Sequence, residues 1–253
     1  MMKRFAFFTV FTLAVCTMVC AQVKVVAHRG YWTTPGSAQN SLASITKADT
    51  IGAFGSEFDV WMTTDGKLVV NHDKKFKGVN METTPFAEIR KVYLDNGEQL
   101  PTLDEYLKYA AANTKTRLVL EMKSLTDIKR EDEAAAKIVK ALKKYKVLDR
   151  TDIIAFSINA CLAFKKLLPD TKIYYLEGDM EPKKIKRLGF AGIDYSMGAI
   201  KQHPEWVKES HKLGLEVNVW TVDKEDDMKY FIGLGVDYIT TNQPEQLQKL
   251  LVK

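Results

Sequence analysis

The chain has 253 residues, of which 46% are hydrophobic and 27% are charged, and its formal net charge is +5. This length suits one large α/β domain or two small ones, with enough apolar residues for a sizeable core. The positive charge is too weak to indicate a nucleic-acid partner, although it would not repel an anionic small molecule.

The first 21 residues have the organisation of a secretory signal peptide. Lys3 and Arg4 form a basic segment, residues 5–15 are apolar, and Val19 and Ala21 suit the −3 and −1 positions of a signal-peptidase site. A buried helix or a membrane anchor is the alternative, but the apolar run is shorter than the roughly 20 residues that span a bilayer. We therefore predict cleavage after Ala21, export to the periplasm or the medium, and no stable membrane anchor in the mature form.

Removal of this segment would leave one cysteine. Cys16 and Cys20 depart with the signal peptide, so Cys161 has no partner for an internal disulfide. Cys20 also hints at lipoprotein processing, but Val19 is too large for a good lipobox. The predicted mature chain, residues 22–253, carries a net charge of +3 and depends on its core for stability.

Strand and helix patterns alternate along this mature chain. Eight apolar runs predict strands: VKVVAH, GSEFDVWM, RLVLEMK, DIIAFS, KIYYLE, GIDYS, EVNVWTV and DYITT. Amphipathic patterns between and after them predict helices, among them LDEYLKYAAN, DEAAAKIVKALKKY, NACLAFKKLL, PEWVKESHKLG, DDMKYFIGLG and PEQLQKLLVK.

Eight strands, each followed by a helix or a crossover, match the (β/α)8 TIM barrel in number and size. Three helices end in Leu-Gly, at 188–189, 213–214 and 234–235, where glycine can form a left-handed cap. Residues 73–101 are too many for a plain βα loop and predict a small insertion after the second strand. An open doubly wound sheet is the alternative, but no glycine-rich dinucleotide fingerprint follows the first strand. We predict one α/β domain over 22–253, folded as a TIM barrel.

Ionisable residues collect where the first three barrel strands end, and barrel enzymes place their chemistry at these ends. Residues two apart on a strand leave the same face, so the paired positions would converge. They are His28 and Arg29 after the first strand, Glu57 and Asp59 on the second, His72 and Asp73 on a hairpin-like extension, and Glu121 and Lys123 on the third.

The three carboxylates favour a metal site. Removing each from water costs several kcal/mol, so Glu57, Asp59 and Glu121 need a cation close by. Oxygen-only ligands suit one hard divalent ion, Ca²⁺ or Mg²⁺, better than zinc. Glu57 and Asp59 could instead form salt bridges with lysines, but the third carboxylate and two histidines at the same face favour the metal.

The two histidines at this face predict proton transfer. His28 and His72 have an ordinary pKa near 6.5, so the pair can act as general base and general acid near neutral pH. Either histidine alone could simply cap a strand end. Arg29 and Lys123 complete a cationic rim that suits a phosphate group. His203 and His211 lie in a polar helical pattern and are expected on the solvated surface.

A series of short motifs accompanies these residues. The motifs are HRG at 28–30, QNS at 39–41, EFDV at 57–60, HD at 72–73, PTLDEYL at 101–107, LEMK at 120–123, VWTV at 219–222 and TNQP at 241–244. In this order they resemble the glycerophosphodiester phosphodiesterase family of metal-dependent TIM barrels, over essentially the whole mature chain. Two positions depart from the family pattern: Gln39 replaces the Glu of a PEN motif, and Asn242 replaces the Asp of a terminal TD.

The resemblance implies roles for the site residues. Glu57, Asp59 and Glu121 would bind the metal, His28 and His72 would be the acid/base pair, and Arg29 and Lys123 would hold phosphate. Trp220 would line the pocket near the glycerol moiety, although it could equally be an aromatic residue that fills the barrel top.

The implied function is metal-dependent hydrolysis of glycerophosphodiesters to glycerol 3-phosphate and an alcohol. A lyase-like phosphodiesterase that acts on a larger lipid or glycan phosphodiester is one alternative. An exported glycerophosphodiester-binding protein with little turnover is another, suggested by Gln39 and Asn242. The implied partner is a small-molecule substrate, and no long exposed apolar stripe indicates a subunit interface.

Overall fold

The computed structural model describes residues 22–252, so the predicted signal peptide lies outside the described residues and stays a prediction. The strands are β1 (Lys24–Ala27), β2 (Gly55–Met62), β3 (Leu68–Val70), β4 (Lys75–Phe76), β5 (Val79–Asn80), β6 (Arg117–Met122), β7 (Thr151–Ala155), β8 (Ile173–Tyr175), β9 (Gly192–Ser196), β10 (Glu216–Trp220) and β11 (Tyr238–Thr241). The helices are α1 (Leu42–Thr50), α2 (Phe86–Ile89), α3 (Leu103–Asn113), α4 (Ile128–Lys144), α5 (Ile158–Leu167), α6 (Pro182–Leu188), α7 (Met197–Gln202), α8 (Glu205–Lys212), α9 (Glu225–Leu234) and α10 (Pro244–Leu251).

Eight parallel strands close into a barrel, which confirms the predicted TIM-barrel fold. Their order is β1, β11, β10, β9, β8, β7, β6, β2, and β2 pairs again with β1. Each of the eight predicted runs overlaps one of these strands. β3 pairs antiparallel with β2 and extends it, as the hairpin pattern predicted.

The apolar residues separate into layers. The largest cluster lies between the strands and the surrounding helices, and it includes Phe58, whose ring stacks on Tyr106 at 4.4 Å. A smaller cluster joins side chains from several different strands, among them Val26, Val119 and Ile154, so it fills the barrel interior. Among residues 22–252, no helix is both long and apolar enough to cross a membrane.

The predicted insertion after β2 and β3 is a small substructure with its own apolar cluster. It contains the β4–β5 hairpin, helix α2 and an isolated bridge between Tyr93 and Gln99. Met81 and Ile89 pack there against Trp61 from β2. The insertion therefore leaves the barrel at the end where the site residues collect.

Helix boundaries follow capping chemistry. The three Leu-Gly ends are confirmed, since Gly189, Gly214 and Gly235 all have a left-handed backbone. Helix α4 begins before the predicted pattern because the Asp127 side chain accepts a hydrogen bond from the Lys129 backbone N–H. Helix α1 is rich in Ser and Thr, which are weak helix formers, so it depends on its Ser41 cap and on burial against the barrel.

The PTLDEYL motif contains a capping box that is expected to stabilise the start of α3. Thr102 accepts from the Glu105 backbone N–H at 3.1 Å, and Glu105 accepts from the Thr102 backbone N–H at 2.8 Å. Thr102→Ala is expected to lower the free energy of unfolding by about 1 kcal/mol. Urea denaturation measures this change, with the exposed Thr64→Ala as the control; equal stabilities of the two variants would contradict the role of the cap.

Candidate active site

The end of β1 turns sharply and directs the Arg29 backbone at a carboxylate. Arg29 has φ of 56°, and its N–H donates to Glu57 Oε2 at 2.7 Å. Its guanidinium donates to Gln39 Oε1 at 2.6 Å. Gly30 follows at φ of 75°, and a Cβ there would clash with Ser44 of α1. This close approach explains the glycine of the HRG motif.

The three predicted ligand carboxylates converge. Glu57, Asp59 and Glu121 are buried, and one oxygen of each lies within 4.8 Å of the others. Parallel pairing of β2 with β6 sets Asp59 directly beside Glu121. Lys123 Nζ forms ion pairs at 2.7 Å with both Asp59 Oδ1 and Glu121 Oε1. Glu57 Oε1 has no hydrogen-bond partner among the described residues.

Asn40 holds Asp59 in this cluster. Its amide nitrogen donates to Asp59 Oδ2 at 2.8 Å, and its amide oxygen accepts from the Asp59 backbone N–H at 3.1 Å. The three residues of the QNS motif therefore have separate tasks. Gln39 contacts Arg29, Asn40 orients Asp59, and Ser41 caps α1.

Burial and mutual repulsion control the carboxyl pKa values. Burial raises the pKa of Glu57 well above its ordinary value, and Asp59 and Glu121 add to the shift. Burial also raises the pKa of Glu121 to about 7, against the opposing effect of Lys123. Burial opposes ionisation of Asp59 too, but Lys123, His72 and the Asn40 amide hold its pKa at about 2. Two of the three carboxyl groups thus carry an electrostatic cost that a bound cation would relieve.

The two histidines have different partners. His28 Nδ1 lies 2.9 Å from Asn242 Oδ1, a neutral amide oxygen. His72 Nδ1 lies 2.8 Å from Asp73 Oδ1, a carboxylate oxygen. Burial, followed by the Arg29 charge, lowers the pKa of His28 to about 4. Burial also lowers the pKa of His72, although Asp59 and Asp73 oppose the shift.

One pocket brings the predicted site residues together. Seven of the eight line it, and Asp59 lies buried beside Glu121. Part of its wall is apolar and contains Phe156 and Trp220, whose rings meet edge to face at 5.6 Å. The Trp220 indole N–H donates to the Asp194 backbone oxygen at 2.9 Å, which fixes its ring on this wall. The lining residues are His28, Arg29, Glu57, His72, Glu121, Lys123, Ile154, Phe156, Leu176, Asp194, Trp220, Thr221 and Thr240.

Sequence reasoning missed several of these residues. Asn40 and Phe156 carry no isolated signal, although Asn40 belongs to a motif that the resemblance identified. Asp194 was also missed, because one Asp within a short apolar strand does not reveal which way it faces. In the structure Asp194 is 2% exposed and its Oδ1 has no hydrogen-bond partner within the described part of the chain.

Asp194 predicts a pH-dependent stability difference. Burial raises its pKa from 3.8 to about 7, and Glu121 repulsion adds to the shift against the Asn218 amide. The folded state therefore binds more protons than the unfolded state between about pH 4 and about pH 7, and stability falls as the pH rises. Asn at 194 does not titrate, so Asp194→Asn does not lose stability in this way. The free energy of unfolding of the variant minus that of wild type is therefore expected to grow by at least about 1 kcal/mol from about pH 4 to about pH 7. Urea denaturation at several pH values tests this, and a pH-independent difference would contradict it.

The carboxyl ends of the barrel strands carry clustered carboxylates, two histidines and two cationic side chains, Arg29 and Lys123. This arrangement is typical of TIM-barrel enzymes, which place their active sites at these ends. Residues 28–246 match the model of the "Glycerophosphoryl diester phosphodiesterase family". The chain belongs to this enzyme family, which confirms the resemblance seen in its motifs.

Individual relatives agree with this assignment. The chain is 32% identical over 246 residues to a glycerophosphodiester phosphodiesterase of Caldanaerobacter subterraneus subsp. tengcongensis, covering 90% of this chain and 98% of the relative. It is 45% identical to the crystal structure of a glycerophosphodiester phosphodiesterase from Parabacteroides distasonis, with a TM-score of 0.90 and coverage of 92% and 98%. An Oleispira antarctica phosphodiesterase solved with the product sn-glycerol-3-phosphate is 25% identical, with a TM-score of 0.80 and coverage of 92% and 98%.

Proposed function

We propose that this enzyme hydrolyses glycerophosphodiesters to glycerol 3-phosphate and an alcohol, with one divalent cation and two histidines. The observation that carries the proposal is the cluster of Glu57, Asp59 and Glu121 oxygens beside His28 and His72 in one pocket. The product bound to the Oleispira antarctica relative supports the choice of substrate.

The residues present fit a hard divalent cation. Among residues 22–252, Glu57 Oε1 is buried without a hydrogen-bond partner, and Asp59 Oδ1 and Glu121 Oε1 both pair with the Lys123 ammonium. Three carboxylate oxygens suit Ca²⁺ or Mg²⁺, with water completing the shell. When bound, the cation would polarise a phosphoryl oxygen and orient the substrate.

The hydrogen-bond partners of the histidines suit opposite roles. His28 faces a neutral amide and has a lowered pKa, so it stays neutral and can accept the proton of the nucleophile. Burial lowers the pKa of His72, but the Asp73 carboxylate opposes this shift and a bound phosphate would oppose it further, which suits His72 to donate a proton to the leaving alcohol. The nucleophile is water, or the glycerol 2-hydroxyl in a route through a cyclic phosphate that water then opens.

Two cationic side chains and the apolar part of the pocket wall position the substrate. Arg29 and Lys123 offset charge on the phosphoryl oxygens during the reaction. Gln39 holds the Arg29 guanidinium without neutralising it, so the full positive charge remains for the phosphate. Trp220 and Phe156 offer a hydrophobic surface to the glycerol carbons.

The first experiment is an assay of glycerol 3-phosphate release. Enzyme stripped with a chelator is incubated with glycerophosphocholine or glycerophosphoethanolamine, and Ca²⁺ or Mg²⁺ is added back separately. We expect release only after one of the ions is restored. Full activity of verified metal-free enzyme would refute the metal requirement, and accumulation of a cyclic product that is never opened would indicate the lyase-like alternative.

We also propose that the enzyme is exported after cleavage near Ala21. The basic and apolar pattern of residues 1–21 supports this. Mass spectrometry of the protein from its native cells is expected to give a mature chain that begins at Gln22. An intact N-terminus would contradict the proposal, and a lipid on Cys20 would indicate lipoprotein processing instead.

A further inference from the structure

A chain of hydrogen bonds leads from His28 to a carboxylate outside the pocket lining. Asn242 Oδ1 contacts His28 Nδ1 at 2.9 Å, and Asn242 Nδ2 donates to Asp223 Oδ2 at 2.8 Å. The Asn242 backbone N–H donates to Asp223 Oδ1 at 2.8 Å, and Thr241 Oγ1 donates to the same oxygen at 3.1 Å. Asp223, in the loop between β10 and α9, therefore holds both the backbone and the side chain of Asn242.

The Asn242 amide has one partner that can only accept a hydrogen bond and another that can only donate one. Together they determine which way the amide faces. An ionised carboxylate can only accept, so the atom that faces Asp223 must be the amide nitrogen. An indole N–H can only donate, and Trp32 Nε1 lies 2.9 Å from the other end of the amide, which must be the oxygen. The usual ambiguity between amide oxygen and nitrogen is thereby removed at this position.

The orientation of the amide determines the tautomer of His28. Since Asn242 Oδ1 only accepts, the facing Nδ1 of neutral His28 must carry the proton. Nε2 then has a free lone pair, and His28 lines the pocket that holds the carboxylate cluster. A backbone hydrogen bond from the His28 N–H to the Thr241 oxygen, 2.9 Å long, ties the two strand ends together.

We propose that Asp223 is a positioning residue for the reaction, because it orients Asn242 and so holds His28 as the Nδ1–H tautomer with Nε2 ready to accept a proton. Asp223 does not line the pocket and acts through Asn242. This inference rests on the proposed role of His28 as the base. In the opposite tautomer Nε2 would carry a proton and could not act as the base in the resting enzyme.

The tautomer can be measured without substrate. Long-range ¹H–¹⁵N spectra of the full enzyme labelled at histidine separate protonated from unprotonated ring nitrogens, and the sequence has only four histidines to assign. His28→Ala identifies the signals of His28. We expect Nδ1 protonated and Nε2 unprotonated at neutral pH. An Nε2–H tautomer in the wild type would overturn the proposal, whatever the variants do.

Kinetics of Asp223→Asn test the positioning role. An amide at 223 can donate as well as accept, so Asn242 loses a partner that only accepts hydrogen bonds. The Asn242 amide can then face either way, and His28 is expected to show mixed tautomers. We expect kcat to fall by at least about tenfold while KM changes by less than about twofold, since a wrong histidine tautomer impairs proton transfer. Asp226→Asn is the matched control, because it makes the same change at an exposed position in the first turn of α9.

A double-mutant cycle tests whether Asp223 acts through Asn242. Asn242→Leu is expected to lower kcat similarly, and adding Asp223→Asn to it should cost little more. Fully additive losses would overturn the proposal. The proposal would also be overturned if His28 kept its Nδ1–H tautomer in Asp223→Asn but lost it in Trp32→Phe. Trp32 would then be the residue that orients the amide.

The proposed function and this inference fail in different ways. Near-native turnover of His28→Ala would refute the base role while leaving the measured tautomer unchanged. An Nε2–H tautomer of His28 in the wild type would refute the inference while leaving metal-dependent turnover intact.

Discussion

Replacing either His28 or His72 with alanine is expected to lower kcat by at least about a hundredfold. Each imidazole is proposed to move one proton in the reaction, and no other histidine among residues 22–252 lines the pocket. Both side chains are partly exposed, so their removal creates no large cavity in the core. Thermal unfolding of each variant should therefore match the wild type, and rates of glycerol 3-phosphate release measure the loss.

The chain supplies matched controls for this experiment. His203 stacks on Trp206 at 4.2 Å, and His211 Nε2 lies 2.9 Å from Asp237 Oδ2, both away from the pocket. His203→Ala and His211→Ala are expected to retain activity within about twofold, as surface changes usually do. Equal activity of all four variants would refute the acid/base assignment.

Glu57→Gln is expected to abolish binding of the divalent cation and to reduce turnover by at least about a hundredfold, since Lewis-acid catalysis supplies several kcal/mol. The same variant removes a buried carboxylate whose pKa is raised by burial and by repulsion from Asp59 and Glu121. The metal-free variant should therefore be at least as stable as metal-free wild type. Glutamine can still accept from the Arg29 backbone N–H, so the local turn is kept.

Calorimetry with Ca²⁺ or Mg²⁺ alone measures the binding, and thermal unfolding with and without the ion measures the stabilisation. In wild type the ion should raise the unfolding temperature, because it binds only the folded state. This increase should disappear in Glu57→Gln. The control is Glu131→Gln, since Glu131 is also buried but accepts from Ser157 Oγ at 2.6 Å outside the pocket. An equal increase in wild type and Glu57→Gln would refute the metal site.

Much of the fold could be predicted because strand and helix periods are local properties of the chain. Eight apolar runs and the helical patterns between them follow from the alternation of side chains. Helix ends followed from glycine at 189, 214 and 235. Helix α1 was not predicted, since its Ser and Thr residues have weak helix propensity and it depends on tertiary burial.

The candidate site was predicted less completely than the fold. His28, Glu57, Asp59 and Glu121 could be placed at one face because parallel strands in a barrel share a carboxyl end. The sequence could not set the register of β2 against β6, which brings Asp59 beside Glu121. It also could not show that Asp194 points into the barrel.

By itself the sequence determined the order of strands and helices, the residue types at each strand end and the motifs of the family. Only the tertiary structure decided the partners of those residues: Asn40 for Asp59, Asp73 for His72, and Asn242 with Asp223 for His28. The physical reason is separation along the chain. His28 and Asn242 are 214 residues apart, and closure of the barrel between β1 and β11 brings them within 2.9 Å.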